Sequence, residues 1–412
     1  MGNSTTSGNC VDGSDPVVST TCHITPDDID STEDGRLFFF ESGQVRVLDS
    51  SAKVRTIVGQ RWSAGDGGAP LSARFRAITW LDMWNNGGTR EILAQDIRTG
   101  SIREFSSANV RKAMGAPDGH ARSYVDLNVS PLADGYEVGS PFAVNGSDGS
   151  VYMLSIPQGE QPAQRVLRAS RGGAPAWSKV AGHGSTYAYD DSNADAKAGA
   201  QINTGLASYG NVLAWQAGVG IFAYLAKPTT LAGADPMNAF FKVFDTADFF
   251  RQSHVAGLDN PPGTLFCPEA DSSPYPSAAG CQLYLNANES VRPSYDAVNS
   301  RWITSRASTD RRVVAFTPGG VAQTVAFTQN NIGGFVYVPD FTGPGQPATV
   351  YCESAATGRL FKVDGAGESQ LVVLPSGMTC TGKALLYDST RRSVIFAFLQ
   401  NQLSGVAEYF LP

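Results

Sequence analysis

The stretch TIVGQRWSAGDGGAPLSARF, residues 56–75, decides the fold class of this chain. A short β-branched run leads into a loop with three glycines, and a second short run follows. Glycines permit positive φ, and Asp66 between Gly65 and Gly67 is placed to accept hydrogen bonds from backbone amides. This loop therefore predicts a tight crossover between two β units. A phosphate-binding loop is the alternative, but no Gly-Lys-Ser/Thr follows and no helix is predicted to begin there.

Short strand-like runs continue from Arg36 almost to Pro412, separated by Gly, Asp, Asn and Ser. Residues 151–154, 313–316, 335–338 and 394–398 are examples. Helical periodicity is almost absent, although Ser107 to Gly115 is predicted to make two helical turns. So many short strands fit a sandwich pair, a β-helix or a propeller. Segments of about forty residues recur, and this repeat favours the propeller.

Residues 36–105 resemble the NHL repeat, in which a TVAG strand end leads into a GDGGPA loop and the next inner strand. Here TIVG stands at 56–59, GDGGAP at 65–70 and LSARF at 71–75, followed by ILAQD at 92–96 and GSIR at 100–103. The GDGG loop is missing elsewhere, so the resemblance implies a fold and little about ligands. We therefore predict an all-β chain, a single β-propeller of six or seven four-stranded blades. Pairing of the N- and C-terminal strands, the latter at 405–410, is predicted to close the ring.

The chain is predicted to have three regions. Residues 1–34 form a polar N-terminal tail clipped by a disulfide, residues 35–412 form the propeller, and a disulfide-bearing insertion occupies about 246–283. The six cysteines form three sequence-local pairs, Cys10–Cys22, Cys267–Cys281 and Cys352–Cys380. Loop closure favours such near partners, each bridge contributing about 3 kcal/mol. Six reduced, buried cysteines are the alternative.

Disulfides imply an oxidising compartment, so the protein is predicted to be secreted, periplasmic or at the cell surface. The 17% of charged residues fits this location, because a surface solvated by hydroxyls and amides is common outside cells. A net charge of −7 argues against nucleic acid, whose phosphates need clustered Lys and Arg. No apolar stretch approaches the roughly 18 residues that span a bilayer, so no transmembrane segment is predicted.

Aromatic residues in loops are the predicted ligand contacts, because they bury a large area at a small entropic cost. Tyr187 and Tyr189 lie in an acidic loop, Phe249 and Phe250 begin the insertion, and Trp62 precedes the GDGG turn. Trp84, beside an Asn- and Gly-rich turn, is expected to be exposed in the same way. The favoured function is a secreted or cell-surface binding or adhesion module that recognises a protein or glycan through loops on one propeller face. A structural spacer in an envelope assembly is another possibility.

Asp191, Asn193 and Asp195 have the alternating oxygen ligands that open a calcium loop. Ala196 stands where that motif needs Gly, and Ile202 where it needs Glu, so a solvated polar turn is the competing interpretation. No other cofactor is expected.

Catalysis has only weak support in the sequence. His183 and His254 occupy predicted loop positions that face one channel mouth, which leaves a metal-dependent hydrolase or lyase as the alternative function. No Gly-x-Ser-x-Gly elbow is present. The residues therefore favour a binding module over an enzyme.

Overall fold

The computed structural model describes residues 17–18, 28–31, 37–41, 44–48, 53–59, 69–73, 75, 77–96, 100–115, 125–132, 141–155, 158, 165–171, 174–181, 212–226, 238–244, 252–256, 283–284, 291–305, 311–316, 322–353, 358–400 and 403–412. The chain divides into two compact units, Met1–Asp66 and Gly67–Pro412.

The first unit contains one antiparallel sheet of five strands in the order β1-β5-β4-β3-β2. Its strands are β1 (Val17–Val18), β2 (Asp28–Ser31), β3 (Leu37–Glu41), β4 (Gln44–Leu48) and β5 (Lys53–Gly59). β1 and β2 fall within the segment predicted to be a polar tail. The boundary at residue 34 stays a prediction.

The second unit contains five antiparallel meanders of four strands each. The first two are β6 (Ile78–Asn86), β7 (Thr89–Asp96), β8 (Ser101–Phe105), β9 (Val110–Gly115), and β10 (Phe142–Val144), β11 (Val151–Ser155), β12 (Arg165–Ala169), β13 (Trp177–Ala181). The third is β14 (Val212–Gln216), β15 (Gly220–Ala226), β16 (Asn238–Phe244), β17 (Gln252–Ala256), where β18 (Leu283–Tyr284) also pairs with β16. The last two are β19 (Ser294–Asp296), β20 (Arg301–Ser305), β21 (Arg312–Phe316), β22 (Ala322–Phe327), and β23 (Ile332–Val338), β24 (Ala348–Glu353), β25 (Arg359–Asp364), β26 (Gly367–Val373).

A three-stranded sheet follows these meanders, made of β27 (Met378–Asp388), β28 (Ser393–Gln400) and β29 (Leu403–Phe410). The prediction of six or seven four-stranded blades is therefore wrong, because the described residues of the second unit form five sheets with four consecutive paired strands each. β29 pairs with β28 along its whole length, and its other edge makes a single bridge, from Ser404 to Phe75. Pairing of the N- and C-terminal strands is not among the strand pairings of the described residues.

The first strands of five pairs of sheets in the second unit contact one another, which is the arrangement of a β-propeller, and β10 and β14 are one such pair. β6 contacts both β10 and β27, and β23 contacts both β19 and β27. The side chains between them form the core. Trp80 is buried and its Nε1 donates to the carbonyl of Phe142, 2.8 Å away in the next sheet. Asp82, also buried, accepts from the backbone amide of Val144 at 2.9 Å.

The helical turns predicted from Ser107 to Gly115 are wrong. Val110–Gly115 is strand β9, paired with β8, and the turn before it closes when the Ser106 amide donates to the carbonyl of Asn109 at 3.1 Å. Val110 and Met114 have helical spacing, but both side chains are buried in the sheet. Pairing with β8 therefore overrides the local spacing, since it satisfies the backbone and buries these residues together.

The structure contains the disulfide predicted between Cys352 and Cys380, whose Cα atoms lie 6.1 Å apart. It joins the second strand of the β23–β26 sheet to β27 of the following sheet. The pairs Cys10–Cys22 and Cys267–Cys281 lie outside the described residues, as does most of the predicted insertion. In the part of the chain that the structure describes, no helix is long and apolar enough to cross a membrane.

Candidate functional site

A cavity of about 740 Å³ lies in the second unit, between the β6–β9 sheet and the hairpin that joins β27 to β28. Its floor is a row of three direct cross-strand neighbours, Met83, Ile92 and Phe105, on β6, β7 and β8. Their side chains point to one face because they are opposite one another in the ladder. The rim carries hydroxyl and amide groups, from Asn85, Thr89, Ser106, Ser107, Ser389 and Thr390.

Two tight turns hold the rim. In the β6–β7 turn, Gly87 and Gly88 have φ of 57° and 92°, and Asn85 Oδ1 accepts from the Gly88 amide at 2.7 Å. In the β27–β28 turn, Asp388 Oδ1 accepts from the amides of Thr390 and Arg391 at 3.0 and 3.1 Å. Positive φ at two consecutive residues is the geometry of a hairpin turn that matches strand twist, and glycine adopts it without strain.

Trp84 stands at the edge of the cavity, half-buried at the end of β6. Its Nε1 donates to Glu104 Oε1 at 3.0 Å. Its indole also lies against Gly149 in the β10–β11 turn, where φ is +70° and a Cβ would come within 2.6 Å of the ring. Both contacts fix the orientation of the indole.

Glu104 is the centre of a buried charge cluster behind Trp84. It also accepts hydrogen bonds from Arg171 and, at 2.7 Å, from Arg111 Nε. Burial raises the pKa of Glu104, but the charge of Arg171 and these hydrogen bonds outweigh it, so the pKa is lower than usual. Burial, and then the charge of Glu104, raise the pKa of neighbouring Glu91. The cluster is a support for Trp84, since its anion is already surrounded by donors.

Arg90 lines the opposite side and joins the first and last sheets of this unit. Its Nη1 lies 3.0 Å from Asp388 Oδ2 and 2.7 Å from Glu408 Oε1, and its Nη2 donates to Glu408 Oε2 at 3.2 Å. Ser393 Oγ donates to Glu408 Oε1 at 2.5 Å. Arg90 is therefore shared by two carboxylates, and Arg391, whose Nε lies 3.6 Å from Glu408 Oε1, brings a second positive charge.

The described residues that line this cavity include none of the ligand and metal residues predicted from the sequence. Trp62, Tyr187, Tyr189, Phe249 and Phe250 lie outside the described residues, and so do Asp191, Asn193, Asp195 and His183. His254 falls on β17. Within the described ranges, no group of three or more His, Cys, Asp or Glu side chains could hold a metal ion.

Sequence reasoning identified one wall of the cavity and missed the rest. Trp84 stood out because Asn85, Asn86, Gly87 and Gly88 follow it. The rest of the cavity could not be found from local sequence patterns. Its other side is formed by the β27–β28 turn, which comes from the far end of the chain.

No family model and no curated protein matches this sequence. Its structure is similar to a gluconolactonase from Xanthomonas campestris, at 12% identity over 84% of this chain and 94% of that one, with a TM-score of 0.42. It is also similar to a lectin of Aleuria aurantia solved with Fucα1-6GlcNAc, at 10% identity, 83% and 92% coverage and a TM-score of 0.39. A third likeness is the lectin BP39L from Burkholderia pseudomallei, at 12% identity, 91% coverage of each chain and a TM-score of 0.39. These likenesses assign no activity and no ligand to this chain.

Proposed function

We propose that this β-propeller is a glycan-binding module and that the cavity beside Trp84 is its binding site. The observation that carries the proposal is the pairing of an apolar floor with a rim of hydroxyl, amide and guanidinium groups. Ligand sites have this composition, with apolar walls that supply burial and a few placed polar groups that fix orientation. Sugars match it, because they present C–H faces and hydroxyls together.

The floor is held in place before any ligand arrives. Phe105 packs edge-to-face against Phe75 with ring centroids 5.9 Å apart, and the guanidinium of Arg103 lies 4.3 Å from the Phe75 centroid. Trp84 is fixed by Glu104, as described above. A rigid site loses little side-chain entropy on binding, which favours a ligand that itself makes few strong contacts.

Two further proposals concern where the protein acts and how residues 36–105 relate to a known repeat. We propose that the module acts outside the cytoplasm, as a secreted or cell-surface adhesion protein, because the Cys352–Cys380 disulfide persists in oxidising compartments. We also propose that the resemblance of residues 36–105 to NHL repeats reflects a shared blade design. The alternative, a metal-dependent hydrolase or lyase, rests on His183 and His254, and no contact of the described residues favours it.

Closure of the propeller ring is a proposal as well. The single bridge between Ser404 and Phe75, the contact of β27 with β6 and the ion pairs of Arg90 all support it. The contact and the ion pairs join the last sheet of the second unit to its first, and the bridge joins the last sheet to Phe75, which precedes β6.

Blocking the cavity tests the proposed function. Ser107 is exposed on the rim, so Ser107→Trp places an indole in the opening, whereas Ser369→Trp adds the same bulk to an exposed position on β26. On a glycan array followed by calorimetry, we expect wild type and Ser369→Trp to bind the same sugars. Ser107→Trp is expected to lose at least about tenfold in affinity while its circular dichroism stays unchanged. Equal binding by both variants would place the site elsewhere.

A further inference from the structure

We propose that the cavity selects sugars that carry a carboxylate, and that Arg391 binds this carboxylate. This inference rests on the proposed function and names the ligand class of the same site. It follows from which hydrogen-bonding groups of the rim are already occupied and which are not.

Three acceptors at the edge of the cavity already accept hydrogen bonds from the protein itself. Asn85 Oδ1 accepts from the Gly88 amide at 2.7 Å, and Ser106 Oγ accepts from the Ala108 amide at 3.2 Å. Asp388 accepts from two backbone amides and from Arg90. The amide nitrogen of Asn85 can still donate, and the hydroxyls of Thr89, Ser107, Ser389 and Thr390 can donate or accept. The rim can therefore bind a ligand that brings acceptors, and the arginines of the cavity decide whether that ligand is charged.

The two arginines of the cavity differ in how their donors are used. Arg90 makes three hydrogen bonds to Asp388 and Glu408, so its charge is matched and its geometry is fixed. In the described part of the chain, the Arg391 guanidinium makes no hydrogen bond. Its Nε lies 3.6 Å from Glu408 Oε1, and its side chain is 48% exposed. Arg391 thus pairs with Glu408 through Nε alone, while Arg90 and Ser393 make the hydrogen bonds to that carboxylate, so the two Nη groups of Arg391 can reach a ligand.

Arg391 is also held in position. Its guanidinium lies 5.3 Å from the centroid of the Phe410 ring, and its own amide donates to Asp388 at 3.1 Å. A planar guanidinium stacked on a ring keeps its edge free for paired hydrogen bonds. A carboxylate matches that edge with two parallel N–H···O contacts, whereas a neutral hydroxyl matches one.

The proposal predicts a preference for one charged group at one end of the ligand. Uronic acids and sialic acids both supply a carboxylate on a sugar ring, and either would place its apolar ring face on the floor of Met83, Ile92 and Phe105. The preference is expected to weaken at high salt, because Arg391 is about half exposed and its charge is screened.

The test compares acidic oligosaccharides with their carboxyl-reduced, neutral counterparts of the same linkage, by calorimetry. One series ends in a uronic acid and the other in a sialic acid, which separates the two sources of the carboxylate. We expect the wild type to bind one acidic series at least about tenfold more tightly than its neutral counterpart. Arg391→Gln is expected to abolish this preference, and Arg391→Lys to keep part of it, because lysine offers a charge without the fork.

Arg359→Gln is the matched control, since it removes the same charge from an exposed residue on β25. We expect it to leave both affinities unchanged. Equal binding of acidic and neutral sugars by the wild type would overturn the carboxylate proposal and leave glycan binding standing. Binding of neither would instead refute the proposed function. A preference that survives in Arg391→Gln would overturn the role of Arg391.

Discussion

Replacing Arg90 with methionine tests how firmly the first and last sheets of the second unit are joined. The change keeps the aliphatic stem and leaves Asp388 and Glu408 without their shared cation. The side chains of Arg90, Asp388 and Glu408 are 25%, 10% and 20% exposed. A fully exposed pair is worth about 0–1 kcal/mol and a broken buried pair costs about 3–5 kcal/mol. These intermediate exposures place the expected loss at about 2–3 kcal/mol of unfolding free energy.

Urea denaturation followed by circular dichroism measures this loss. Arg168→Met is the control, because Arg168 pairs with Asp148 at 2.6 Å within a single sheet and the two side chains are 29% and 43% exposed. We expect it to cost under about 1 kcal/mol. Equal costs for the two variants would refute the reasoning, because they would mean that the link between sheets adds nothing to an ordinary surface pair.

Two further predictions concern Glu408 and Gly149. Burial raises the pKa of Glu408, but hydrogen bonds from Arg90 outweigh it and leave the pKa below its ordinary 4.5. The ionised Glu408 therefore stabilises the fold fully above about pH 4.5, and this contribution is lost as the pH falls through its lower pKa in the folded state. The free-energy cost of Glu408→Gln should accordingly shrink on acidification from about pH 7 to about pH 3. A cost in urea unfolding that does not change with pH would contradict this. Gly149→Ala and Gly345→Ala both place a Cβ at positive φ, at +70° and +72°, but only the first meets Trp84. Both variants should lose about 1 kcal/mol of unfolding free energy to backbone strain. Gly149→Ala should lose about 1–3 kcal/mol more and show altered tryptophan fluorescence, because its Cβ meets the indole. Equal melting temperatures of the two variants would mean that the indole moves aside freely.

The strand series and the propeller class were predictable because they depend on local patterns. Residues 335–338 and 394–398, read as strands from their apolar runs, lie in β23 and β28. The blade number was not predictable, because it depends on which neighbouring runs pair. β27, for example, spans Met378–Asp388 with a register shift between Cys380 and Leu385, and its sheet stops at three strands apart from the bridge at Phe75.

The candidate site was predictable only where a turn marked it. Asn and Gly after Trp84 indicated an exposed indole, and the structure places Trp84 half-buried at the rim. Arg90 gave no signal, because its partners Asp388 and Glu408 come from the other end of the chain. Arg391 gave none, because its place in the cavity wall depends on packing against the β6–β9 sheet. In the sequence alone, Arg391-Arg392 is typical of a charged turn beside a strand. Only the structure shows that Arg90 makes three hydrogen bonds to carboxylates, whereas Arg391 approaches Glu408 through Nε alone.

Indole resonances provide the most direct test of a glycan site beside Trp84. The chain has six tryptophans, so ¹⁵N-tryptophan labelling gives a spectrum of few signals, and Trp84→Phe assigns the one of interest. Titrating an oligosaccharide that binds in calorimetry, we expect the Trp84 Nε1 signal to shift saturably, because ligand on the cavity floor changes the environment of the indole and of its hydrogen bond to Glu104. A ligand that binds and shifts other indole signals while that of Trp84 stays in place would contradict the assignment of the site.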